Sequence, residues 1–220
     1  PVQGGQLEMP GWLDYIEPRG DKLVALGHDD ATGETVLAVS LFDVTDLMAP
    51  KMVQRVTFGE GWGWVPGEKD DMQKIFKVLD DKNIILIPFQ GWSDKDSSYI
   101  GGVQVIDYYP DQDYFAPLIR RGIMEHAGWV ERVMPYKDRF LTVSNEAFQV
   151  VDASDRDKPL VTALLELSRN SVDFAVANGY GIELSGDVQY YGYYYGPGYG
   201  SERSNEMRLS TVPLSNPNTP

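Results

Sequence analysis

One hairpin is written three times in this chain. The copies are Leu41-Phe42-Asp43-Val44-Thr45-Asp46 with Pro50 and Val53, Val105-Ile106-Asp107 with Pro117, and Val150-Val151-Asp152-Ala153-Ser154-Asp155 with Pro159 and Val161. Each is an apolar strand ending in Asp, a polar turn, a Pro and a second apolar strand. The three Asp residues lie 64 and then 45 positions apart. A period of this size means stacked or radial modules, each too small to bury its own face.

The stretches between the hairpins read as strands. Leu23 to Gly27 and Thr35 to Phe42 are rich in aliphatic and β-branched residues and are bounded by turn residues. With Trp12 to Ile16 innermost and Lys51 to Phe58 outermost, they make a four-stranded antiparallel unit. A second unit runs Lys74 to Leu79, Asn83 to Phe89, Gly102 to Tyr108 and Leu118 to Met124. A third runs Trp129 to Met134, Arg139 to Ser144, Phe148 to Asp152 and Leu160 to Leu167. A fourth begins with Ser171 to Val176 and Gly179 to Leu184, and resumes at Met207 to Leu214. The expectation is an all-β chain, a β-propeller of about four four-stranded antiparallel blades at residues 10–58, 61–124, 128–167 and 171–217. Residues 1–220 then form one propeller region. A β-sandwich is the rival, but its strands would not repeat one Asp-turn-Pro hairpin at blade spacing.

Composition excludes several function classes. The net charge of −14 argues against nucleic acid, whose partners carry basic faces, and against anionic membrane surfaces. It suits cationic partners, divalent cations or plain solubility. Cysteine is absent, which removes disulfides, thiolate metal sites and a Cys nucleophile. No apolar run approaches the length of a membrane span. The 42% of hydrophobic residues in 220 is enough for a real core.

Pro10-Gly11-Trp12-Leu13-Asp14-Tyr15-Ile16, Lys22 to Gly27, and Ser40 to Asp46 with Pro50-Lys51 resemble the bacterial and archaeal secreted proteins with a C-terminal β-propeller, distantly like WD repeats. Phe148 to Asp152, Ser171 to Phe174, Gly181 to Leu184 and Val212 to Pro217 are similar to that family too, so the resemblance spans about residues 10–217. It implies an exported or cell-surface propeller with no established chemistry. Glu17 stands where the family often has His, His28 where it more often has Arg, and Met72-Gln73-Lys74-Ile75-Phe76 where it often has an Asn-His-Lys-Ala-Phe-like run. Family propellers are longer than this chain, so the expectation is a segment of a larger propeller, whose partners are the missing blades or other protein chains.

Candidate site residues follow from these patterns. Gly-Trp occurs at Trp12, Trp62, Trp92 and Trp129. The simpler reading is a Trp wedged between adjacent sheets after a Gly bend; the functional one is a ring of Trp at the propeller mouth. His28 and His126 are the two histidines, with Glu125 beside His126 and Glu17 near the first strand. Asp111-Gln112-Asp113 and Asp152 to Asp157 are the best oxygen-ligand spacings for calcium, although Asp is also the ordinary turn residue. Asp14, Glu17, Glu125, Glu131 and Glu183 are the acids available to a channel hydrolase. The run Tyr190 to Gly200, with Tyr191, Tyr193, Tyr194 and Tyr195, suits a contact with another chain or packing on its own blade. The functional expectation is an extracytoplasmic interaction or scaffold module. The alternative is a propeller hydrolase assisted by calcium.

Overall fold

The computed structural model describes residues 4–67, 71–93, 98–111, 116–126, 128–167, 171–186 and 207–215. The chain is all-β, built of successive antiparallel sheets as expected for a propeller segment. The first blade is β1 (Trp12–Arg19), β2 (Lys22–Asp29), β3 (Val36–Asp43) and β4 (Lys51–Phe58), in that spatial order. The second holds β5 (Gly63–Trp64), α1 (Met72–Ile75), β6 (Lys77–Leu79), β7 (Ile84–Ser93), β8 (Ser98–Tyr108) and β9 (Leu118–Met124). The third is β10 (Val130–Tyr136), β11 (Arg139–Ser144), β12 (Ala147–Asp152) and β13 (Leu160–Glu166). The fourth sheet is β14 (Ser171–Ala177), β15 (Tyr180–Gly186) and β16 (Met207–Pro213).

Two details differ from the sequence expectation. The inner strand of the second blade, expected over Lys74 to Leu79, is split: β5 and β6 both pair with β7, and the single helical turn α1 lies between them. Met72 and Ile75 face the core from that turn, an i,i+3 spacing that a strand would send to opposite faces. The fourth sheet, expected with four strands, has three among the described residues.

Blades stack face to face, and β7 shows how the sequence specifies it. Its apolar run Ile84-Ile85-Leu86-Ile87-Pro88-Phe89 does not alternate with polar residues, because both faces are covered. Ile85, Ile87 and Phe89 join Val24, Leu26, Val39 and Leu41 of the first blade in one core. Ile84 and Leu86, on the opposite face, join Val130, Val133, Phe140 and Val151 of the third blade in another. Each such buried side chain contributes about 1.5–3 kcal/mol.

The repeated hairpin has one geometry in the first and third blades. Asp43 Oδ1 accepts the Thr45 amide at 2.9 Å, and Asp46 Oδ1 accepts the Met48 amide at 2.9 Å. Asp152 Oδ1 accepts the Ser154 amide at 2.9 Å, and Asp155 Oδ1 the Asp157 amide at 3.0 Å. The Thr45 side chain and then its amide hold the Asp43 carboxyl, and the Ser154 amide and then its side chain the Asp152 carboxyl, below the usual carboxylate range. A cation sits across the sheet from each Asp that ends the third strand: Lys22 at 3.6 Å from Asp43 and Arg139 at 3.2 Å from Asp152.

The seams between blades also repeat. At the seam of the second and third blades, Gly122 in β9 donates its amide to the Arg156 carbonyl at 2.9 Å. A Cβ there would lie 2.5 Å from the Asp157 carbonyl oxygen, so this close approach requires glycine. At the first blade, Gly5 donates to the Leu47 carbonyl at 2.9 Å, and a Cβ on Gly5 would lie 2.5 Å from the Met48 carbonyl oxygen. Leu47 and Met48 occupy the hairpin positions of Arg156 and Asp157. The irregular segment at Gly5 therefore meets the hairpin of the first blade with the same backbone bond that the strand β9 makes to the hairpin of the third.

Candidate functional site at the tryptophan end

The strand directions sort the molecule into two ends. The hairpins with Asp43, Asp107 and Asp152 lie at one end. The starts of the inner strands, and with them the tryptophans, lie at the other. Trp12 pairs in register with His28, and Trp64 pairs with Gln90. Trp129 precedes β10 and donates its amide to Asn145 Oδ1 at 2.8 Å. Each of the three follows a glycine and a glutamate at fixed spacing: Glu8-Met9-Pro10-Gly11-Trp12, Glu60-Gly61-Trp62-Gly63-Trp64 and Glu125-His126-Ala127-Gly128-Trp129.

Three rings form a triangle at this end. Trp12 and His28 stack with centroids 4.5 Å apart, His28 and Trp62 stack at 5.5 Å, and Trp12 and Trp62 lie 6.5 Å apart, tilted by 40°. His28 is the buried corner, whereas Trp12 is 40% and Trp62 55% exposed. The imidazole is fixed at both nitrogens. Nε2 donates to the Gly63 carbonyl at 3.0 Å, and Nδ1 meets Asp14 Oδ2 at 3.0 Å. The Gly63 oxygen can only accept, so Nε2 carries a proton. With both nitrogens engaged, His28 clamps the two indoles in place and also ties β2 to β5 of the next blade.

The rest of this end is aromatic and acidic. Trp64 and Trp129 lie 6.1 Å apart across the second seam, and the Trp92 amide bonds the Trp62 carbonyl at 3.0 Å. Glu60 accepts the hydroxyl of buried Ser93 at 2.6 Å. Asp29 accepts the Ala31 amide at 2.8 Å and a guanidinium bond from Arg55 at 3.2 Å, which hold its carboxyl below the usual range. Arg55 is otherwise engaged with Ser40 Oγ at 2.8 Å and the Pro10 carbonyl at 2.9 Å.

The remaining sequence candidates are placed as follows. Glu125 is exposed and His126 buried just beyond β9, outside the ring triangle. Glu17 lies toward the opposite end of β1 and bonds Arg19, which also reaches Asp80 at 2.6 Å. Asp111 is at that opposite end, on a cleft of about 460 Å³ that Arg19, Lys22, Asp80 and Tyr108 also line. Burial, reinforced by the Asp80 charge, pushes the Tyr108 phenol up to about 12. Among the described residues, no group of three or more His, Asp or Glu side chains is arranged to hold a metal ion. Asp113, Tyr191, Tyr193, Tyr194 and Tyr195 lie outside the described residues.

A family profile described as "Beta propeller domain" matches residues 1–156. The chain belongs to the β-propeller domain family. The match covers the first two blades and ends inside the Asp152 hairpin of the third. The chain is also similar to an uncharacterized protein, MJ1554, of Methanocaldococcus jannaschii, 36% identical over 59 residues. That stretch is 26% of this chain and 9% of that protein, so the chain matches a small part of a much longer relative.

Sequence reading missed Trp64 and Glu60. It took Gly61-Trp62 as the blade marker, but the pairing of Trp64 with Gln90 puts Gly63-Trp64 at the position of Gly11-Trp12. The fixed distance from Glu60 to Trp64, shared with Glu8 to Trp12, is the signal that finds it.

Proposed function

We propose that this chain is an interaction and scaffold module: a run of propeller blades that works outside the cytoplasm within a larger cell-surface assembly. The observation that carries the reading is the seam at Gly5. The segment around Gly5, irregular in itself, makes to the hairpin of the first blade the same backbone bond that β9 makes to the hairpin of the third. A neighbouring blade whose outer edge ran along this segment would cover the leading face of the first blade, where Ile16 and Met52 are exposed.

The trailing side supports the same reading. Leu160, Leu164 and Leu165 on β13, and Phe174, Val176 and Leu209 in the fourth sheet, are all more than half exposed. Apolar surface at this density marks interaction sites in soluble proteins. For the hydrolase alternative, two of the five acids it would draw on are already engaged, Asp14 with His28 and Glu17 with Arg19.

Sedimentation velocity on the purified chain tests the proposal. The expected result is concentration-dependent association that Leu165→Glu weakens without loss of strand signal by circular dichroism. A species that stays at 24.7 kDa at every concentration, unchanged by Leu165→Glu, would contradict it.

A further inference from the structure

The tryptophan end brings together two features that the rest of the surface separates. The first is a fixed, exposed aromatic platform. Trp12 and Trp62 keep 40% and 55% of their surface open although both are held against buried His28. Rings with locked orientation lose little entropy when they take a ligand, and Trp is the residue most enriched at binding hot spots.

The second is a difference of charge between the two ends of the blades: the tryptophan end is mostly acidic, the hairpin end mixed. Asp14, Asp29, Asp30, Glu60, Glu125 and Glu146 lie at or next to the strand ends on the tryptophan side. Lys22, Lys51, Lys82, Lys137, Arg139 and Lys158 lie at the hairpin ends, interleaved there with at least as many acids, among them Asp21, Asp43, Asp80, Asp81, Asp138 and Asp157. Of the cations on this side, Arg55 is paired with Asp29, and Arg132, near the start of β10, is exposed. Asp14 stays 36% exposed beside the triangle while it holds His28.

We infer that the Trp12–His28–Trp62 platform is a docking site for a basic segment of a partner protein, with a Lys or Arg side chain laid over the indole faces and Asp14 beside it. The indole face attracts a cation through its quadrupole, most strongly among the aromatic side chains. The carboxylates of this end and the net charge of −14 draw the same partner in. The inference rests on reading the chain as an interaction module, and it names the partner's chemistry.

The test is a titration of the chain's tryptophan fluorescence with an oligolysine peptide, repeated with oligoglutamate of equal length and with a neutral oligosaccharide. Trp62→Ala and Asp14→Asn are the site variants. Asp81→Asn, at the opposite end, is the charge control, and melting curves verify that each variant folds. The expected result is saturable binding of oligolysine that weakens with salt, is roughly fivefold to tenfold weaker in Trp62→Ala and in Asp14→Asn, and is unchanged in Asp81→Asn. Absence of oligolysine binding, equal binding by Trp62→Ala, or equal binding of the oligosaccharide would overturn the assignment. If sedimentation still shows association through Leu165, the docking site falls and the scaffold reading stands.

Discussion

Arg156 of the third blade crosses the seam to Asp107, the buried carboxylate that ends the third strand of the second blade. The same guanidinium donates to the Asn83 carbonyl at 3.0 Å and the Lys82 carbonyl at 2.8 Å, and Arg121 donates to the other Asp107 oxygen at 2.7 Å. In the first and third blades the equivalent Asp meets a cation of its own sheet. In the second, the hairpin of the next blade supplies one of the partners. The repeat is thereby turned into a fastening between modules.

Removing that carboxylate is expected to be costly. Asp107→Asn leaves two partly exposed guanidinium groups with a neutral partner, and losing hydrogen bonds to a charged group costs about 1.5–3 kcal/mol. Arg156→Lys is expected to lose less than Asp107→Asn but more than a surface change, because one ammonium cannot reproduce the planar fork that spans Asp107, Asn83 and Lys82. Urea denaturation of the two variants gives both values. Equal stability of Asp107→Asn and the parent chain would sink the fastening account.

The close approach at the seams makes its own prediction. Gly122→Ala places a methyl group 2.5 Å from the Asp157 carbonyl oxygen, and Gly5→Ala one 2.4 Å from Pro50 Cδ. Each is expected to destabilise by about 1–3 kcal/mol through a forced backbone shift. At Gly20, with φ +63° and nothing among the described residues within 4 Å of an added Cβ, the cost of Ala comes from the left-handed backbone and is expected to be about 1 kcal/mol. Thermal melts should place Gly122→Ala below Gly20→Ala.

Stability should fall at both extremes of pH. Asp29, Asp43 and Asp152 have carboxyl pKa values lowered by the hydrogen bonds that fold the turns. A carboxylate with a lowered folded pKa stabilises the fold above the ordinary carboxylate range, and this contribution is lost as pH falls through the folded values. Asp43→Asn with Asp152→Asn should therefore flatten the acid limb of a stability–pH curve. At the alkaline side, burial raises Tyr108 to about 12, so its contribution is complete below the usual phenol value and is lost as pH climbs from there toward 12. Ultraviolet absorbance of phenolate, compared between the parent chain and Tyr108→Phe, checks that limb.

At the tryptophan end, stability and binding should separate. Trp62 is more than half exposed, and Trp62→Ala is expected to change the melting temperature little. His28→Ala removes the corner that both indoles stack on and the bond to the Gly63 carbonyl, and should lower the melting temperature and red-shift tryptophan emission. A His28→Ala protein with the parent's emission and melting point would refute the role of His28 as a clamp.

The parts of this fold that were legible in the sequence are those whose chemistry is local. The Asp43 and Asp152 turns bond amides two residues away, so the pattern of Asp, Thr or Ser, Asp and Pro is enough to place them. The uninterrupted apolar run of β7 likewise announces a strand covered on both faces. Register and distant pairing were not legible. Trp64, not Trp62, pairs with Gln90, and the split inner strand around α1 sets that register. Arg156 and Asp107 are 49 positions apart and meet only because two sheets stack. Asp14 was visible only as one of several strand acids, and its role with His28 is set by how β1 and β2 pair.

The central claim is that one blade seam is built at both Gly122 and Gly5, and amide hydrogen exchange at these two glycines tests it most directly. The account predicts that the Gly5 amide, bonded to the Leu47 carbonyl, is protected together with the Gly122 amide, bonded to the Arg156 carbonyl. Exchange of Gly5 at the rate of an unstructured chain, with Gly122 protected, would contradict it and would leave the hairpin of the first blade without the bond that β9 makes to the third.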